Sequence, residues 1–96
     1  MTDTLVNQPL HILVVDDEWV NIQVLLNYLS TRRYIVDYAS NGIEAIEKVE
    51  KSRYDIILLD IMMPKMSGFE VCRALRKKYT SYELPVLILT AKNQAN

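Results

Sequence analysis

The chain has 96 residues, half of them apolar and about a quarter charged, with only two glycines and three prolines. That length supports one domain around one modest core, and the composition excludes a disordered, collagen-like or low-complexity chain. Eleven basic against twelve acidic side chains give a formal charge of -1, which argues against a binder of nucleic acid or another polyanion.

In chain order, residues 1–9 are polar and irregular and read as a leader to a domain over 10–96. The apolar run Ile12-Leu13-Val14-Val15 reads as a buried strand and ends abruptly at Asp16 and Asp17. Residues 19–29 carry Val20, Ile22, Leu25, Leu26 and Leu29, mostly at spacings of three and four, the signature of an amphipathic helix. After a polar turn at 30–33, residues 34–39 form a second, short strand, closed by Ser40-Asn41-Gly42. Residues 43–51 repeat Ile43, Ile46 and Val49 on one helical face, with Glu44/Lys48 and Glu47/Lys51 as i,i+4 supports.

The next apolar run, Ile56-Ile57-Leu58-Leu59, ends in Asp60. A loop, Met62-Met63-Pro64-Lys65, leads to Ser67-Gly68-Phe69-Glu70, which has the form of a capping box. The helix it opens bears Phe69, Val71, Cys72 and Leu75, and closes in a solvated basic end, Arg76-Lys77-Lys78, suited to the negative helix terminus. Finally Pro85-Val86-Leu87-Ile88-Leu89 runs into Thr90. The lone cysteine, Cys72, allows no internal disulfide and no cysteine metal site, which points to a reducing, cytoplasmic setting. No apolar run approaches the ~18 residues of a membrane span.

Strands alternating with helices imply right-handed crossovers and a parallel sheet covered on both faces. In such a sheet the strand ends Asp16, Asp60 and Thr90 lie along one edge, where ligands of open α/β sheets sit. Asp16, Asp17 and Asp60 are therefore expected in one pocket, where their mutual repulsion calls for a cation. Hard oxygen ligands suit Mg2+ or Mn2+, and the single histidine, His11, offers no zinc site. An acidic trio, a hard metal and a hydroxyl at Thr90 suggest phosphoryl chemistry, in which a carboxylate can itself become an aspartyl-phosphate.

Three segments carry a resemblance to a known family: Val14-Val15-Asp16-Asp17-Glu18, then Leu58-Leu59-Asp60-Ile61-Met62-Met63-Pro64-Lys65-Met66-Ser67-Gly68-Phe69-Glu70, and Pro85-Val86-Leu87-Ile88-Leu89-Thr90-Ala91. Together they resemble the receiver domains of two-component response regulators, over roughly residues 10 to 95. The resemblance implies a flavodoxin-like, doubly wound parallel sheet with four strands in order 2-1-3-4 and three helices. That sheet would be incomplete, ending before the fourth and fifth helices and the fifth strand with its lysine. Asp60 then corresponds to the phospho-acceptor, and the donor to a histidine kinase or phosphotransfer protein. Asp17 corresponds to the direct metal ligand, Asp16 to a ligand acting through metal-bound water, Met62 to a backbone carbonyl ligand, and Thr90 to the switch hydroxyl. Such a module catalyses only its own phosphorylation and dephosphorylation and is no enzyme in the usual sense.

Two other readings compete. A non-switching interaction module of the same fold would self-associate or exchange strands through an open fourth-strand edge. A metal-dependent phosphatase with an aspartyl nucleophile would carry a second acid two residues later, where this chain has Met62.

Overall fold

Four short segments of this chain assemble into one sheet, and the two most continuously apolar of them form its buried centre. The computed structural model describes residues 8–89. Its elements in order are β1 (His11–Val15), α1 (Trp19–Ser30), β2 (Ile35–Ala39), α2 (Gly42–Lys51), β3 (Ile56–Asp60), α3 (Gly68–Arg76) and β4 (Val86–Leu89). The strands are parallel, as their alternation with helices predicts, and stand in the order β2-β1-β3-β4 that the family resemblance implied. Register sets Val14 beside Tyr38 and Leu58, and Asp60 beside Leu89.

Because β1 lies between β2 and β3, its side chains face helices on both sides. Leu13 and Val15 join Ala45, Val49, Val71 and Leu75 in the larger core beneath α2 and α3. Ile12 and Val14 pack with Ile22 in a smaller core beneath α1. This alternation explains why the strand reads as an unbroken apolar run rather than an apolar/polar one.

The helix faces differ in detail from the sequence expectation. Ile43 and Phe69 are exposed, while Ala45, Val49, Val71 and Leu75 are buried. Both outward residues belong to a first helical turn, where small Gly42 and Gly68 take the inward positions. Val20 on α1 is likewise exposed. The expected capping box is present: Ser67 accepts from the Glu70 amide, and Glu70 accepts from the Ser67 amide at 2.9 Å. The basic end of α3 is not wholly solvated. Arg76 turns back and donates to the carbonyls of Tyr79, Thr80 and Leu84, the last at 2.9 Å, tying the α3–β4 loop to the helix.

Candidate functional site

The two central strands carry the acids. Asp16 follows the last residue of β1 and Asp60 is the last residue of β3, so parallel pairing delivers both carboxylates to the same sheet edge. One carboxylate oxygen from each of Asp16, Asp17 and Asp60 lies within 4.8 Å of the others. Asp16 is 5% exposed and Asp60 2%, whereas Asp17 faces solvent. The site therefore has a buried floor and an open lip.

Local bonds fix the floor. Asp16 Oδ1 accepts from the Glu18 amide at 2.9 Å, and Oδ2 from Asn21 Nδ2 at 3.2 Å, so the acid also secures the first turn of α1. Asp60 Oδ1 accepts from the Met62 amide at 3.2 Å. The loop after Asp60 is folded back on itself by Met63 and Gly68 amides, which both reach the Ile61 carbonyl. Gly68 is pressed so closely on β3 that a β-carbon there would stand 2.4 Å from the Asp60 carbonyl oxygen. Only glycine fits, and this contact sets where the acceptor loop lies relative to the strand.

Three negative oxygens held within 4.8 Å repel one another by Coulomb's law, more strongly where water is thin. A hard divalent cation relieves that repulsion, and an all-oxygen donor set with an open lip fits one that keeps several waters. Met62 lies next to this set, with its side chain exposed. Thr90, expected to supply a hydroxyl here, lies outside the described residues.

Beside the site runs a feature that sequence reasoning did not isolate. A cavity of about 620 Å3 lies between the β2–α2 turn and the acceptor loop, lined by Ile43, Met63, Pro64 and Met66 and rimmed by Asp17 and Lys65. Lys65 adopts a left-handed backbone, φ 70°, a conformation that costs an ordinary residue about 1 kcal/mol.

A second polar cluster stands on β2. Asp37 accepts from the Tyr54 hydroxyl at 2.7 Å, the Tyr38 amide at 2.7 Å and Lys48 Nζ at 3.1 Å. Burial works against the charged form of Asp37, but these donors outweigh it and hold its carboxyl below the usual range. Burial and the neighbouring carboxylate push the Tyr54 hydroxyl up to about 12. Lys48 also pairs with Glu44 at 3.5 Å and sits over the Tyr38 ring, which meets the Trp19 ring in a T-shaped contact with centroids 5.2 Å apart. The sequence suggested the Glu44–Lys48 pair, while the bond to Asp37 needed the fold.

A four-stranded parallel sheet with a buried acid pair at its central strand ends defines an α/β domain with an acidic, cation-compatible site at the crossover point. The response regulator receiver domain model matches residues 12–96, and the chain belongs to that family. It is 42% identical over 88 residues to the response regulator MprA of Mycobacterium sp. (strain KMS), covering 92% of this chain and 37% of that protein. The chain thus spans little more than a third of such a relative. Among solved structures, chemotaxis protein CheY4 of Vibrio cholerae superposes with a TM-score of 0.82 at 34% identity, covering 91% of this chain and 72% of that one. Response regulator TrrA of Thermotoga maritima, solved with Mg(2+)-BeF, gives 0.71 at 34% identity, covering 86% and 88%. A chain of the complex between histidine kinase ThkA and TrrA gives 0.78 at 40% identity, covering 88% and 71%. Among the described residues no helix is long and apolar enough to cross a membrane.

Proposed function

We propose that this receiver domain accepts a phosphoryl group on Asp60 from a phosphohistidine of a histidine kinase or phosphotransfer protein, in the cytoplasm. The observation that carries the reading is the convergence of Asp16, Asp17 and Asp60 within 4.8 Å. Asp16, Asp17, Asp60 and the Met62 carbonyl would hold Mg2+ or Mn2+. When bound, such an ion neutralises charge on the transferring group. An Asp60 oxygen attacks phosphorus, the donor's P–N bond breaks, and the proton needed by the leaving imidazole comes from solvent. Buried Asp60 is oriented for this by the Met62 amide. Thr90 is the hydroxyl assigned to the phosphorylated state. The domain over 10–96, behind a leader at 1–9, thus catalyses only its own phosphorylation and dephosphorylation.

The test is intact mass after incubation with a small acyl phosphate and Mg2+, with circular dichroism confirming the fold. One phosphoryl adduct is expected on the parent chain and none on Asp60→Asn. An adduct that survives in Asp60→Asn, or a folded parent that takes none, removes this reading.

One observation favours a second reading. Among the described strands β4 has no neighbour on its outer side, and Leu87 there is 53% exposed, a template for pairing with another copy. Self-association through that edge would appear as a dimer in light scattering and be lost in Leu87→Lys.

A further inference from the structure

Three of the four methionines stand in the loop between Asp60 and α3, at 62, 63 and 66. Their surroundings differ. Met62 is 57% exposed, Met63 is 7% exposed, and Met66 is half-buried. Met66 combines partial exposure with a contact to a second element. A β-carbon on Gly42 would come within 2.6 Å of its Sδ and 2.9 Å of its Cγ, so the thioether rests on the first residue of α2. The same side chain forms part of the wall of the 620 Å3 cavity beside Asp17, within reach of small solutes. The backbone bonds donated by Met63, Met66 and Gly68 all end on Ile61 or Pro64, inside the loop. The loop's grip on α2 is therefore apolar packing, shared between buried Met63 in the core and Met66 on the first residue of the helix.

We propose that Met66 is an oxidation site through which a hydroperoxide loosens the acceptor loop from α2. The Sδ lone pair takes the terminal peroxide oxygen, the O–O bond breaks, and water leaves when the oxidant is hydrogen peroxide. The product sulfoxide is polar and stiffly shaped, and it no longer packs as a hydrocarbon against Gly42 and Val71. Reduction by a thiol-dependent sulfoxide reductase restores the thioether, with two thiols becoming a disulfide and the oxygen leaving as water. The consequence for phosphoryl acceptance rests on the function proposed for Asp60. The modification and the loosening do not, and their test uses neither metal nor phosphate.

The full chain is treated with graded hydrogen peroxide, followed by peptide mass mapping, a thermal melt and amide exchange at Glu44, Ala45 and Ile46, the first hydrogen-bonded amides of α2. Met62 and Met66 are expected to gain one oxygen each while Met63 stays protected. Exchange at the three amides should quicken about tenfold, and Tm should fall by about 5 °C. Met66→Leu should erase both responses, Met62→Leu should keep them, and Met66→Gln should mimic them without peroxide. Met66 left intact where Met62 is fully oxidised overturns the proposal. So does oxidised Met66 with unchanged melt and exchange, or an undiminished response in Met66→Leu. Should Met66→Gln fail to fold, the parent and Met66→Leu titrations decide alone.

Discussion

Asp37 and Asp60 lie on strands of the same sheet, one on edge strand β2 and the other ending central β3. Around Asp37 the chain arranges three donors, from Tyr54, Tyr38 and Lys48. Around Asp60 it arranges acids, with Asp16 and Asp17 within 4.8 Å. A carboxylate surrounded by its own chain's donors holds structure together, here fastening α2 and the start of β3 to an edge strand. Carboxylates gathered against one another cost stability and persist where something from outside is to be held. The contrast is one of neighbours: Asp37 has a lysine and a hydroxyl beside it, whereas Asp16 and Asp60 accept amide bonds but stand against other carboxylates.

The largest effect should come from disturbing the platform under the trio. Gly68→Ala must move a backbone carbonyl, since its methyl would stand 2.4 Å from the Asp60 oxygen. A loss of about 3 kcal/mol is expected in a denaturant melt. A loss below 1 kcal/mol would mean the loop yields easily and does not fix Asp60.

Neutralising one acid from each set tests the contrast itself. Asp37→Asn should lower Tm, while Asp17→Asn in metal-free buffer should leave it unchanged or raise it. Equal losses from both would erase the distinction. The pH dependence follows from the same cluster. The folded carboxyl of Asp37 lies below its ordinary value of 3.8, so its contribution is complete above about pH 4 and drains away as pH falls through the lower folded value. The hydroxyl of Tyr54, raised from 10 to about 12, contributes fully below pH 10 and loses that contribution as pH rises towards 12. Tyr54→Phe should cost about 1 kcal/mol at pH 7 and flatten the alkaline limb of a stability profile. An unchanged limb would show that this hydroxyl does not govern it. Because Lys48 is partly exposed, its ion pair with Asp37 adds well under 1 kcal/mol.

The smallest expected effect is a gain. Lys65→Gly relieves a left-handed backbone at φ 70°, offset by glycine's extra unfolded-state freedom, for a net of about 0.5 kcal/mol. A loss on the same measurement would show that the Lys65 side chain contributes packing at the cavity rim.

The seven elements, the parallel sheet and the acidic trio were legible in the sequence because each depends on short-range signals, whereas the strand order came from the family resemblance. Apolar runs of four residues mark the strands, their abrupt acidic ends mark the edge, and parallel pairing does the rest. The facing of Ile43 and Phe69 was not legible, since a first helical turn can place either its glycine or its large neighbour inward. Nor was the inward reach of Arg76, whose acceptors are loop carbonyls, or the left-handed Lys65, set by how the acceptor loop closes on Ile61. Asp37 read as an ordinary strand residue because Lys48 and Tyr54 reach it only across the fold. Thr90 lies beyond the described residues.

Trp19 is the only tryptophan in the chain, and it stands half-exposed two residues after Asp17 with its ring at 63° to that of Tyr38. Its indole therefore spans the acidic loop and the edge strand that Asp37 fastens. The molecule carries its single indole at the meeting point of its two carboxylate sets, so one tryptophan emission spectrum, excited beyond the absorption of the six tyrosines and without any attached dye, registers a disturbance arriving from either side.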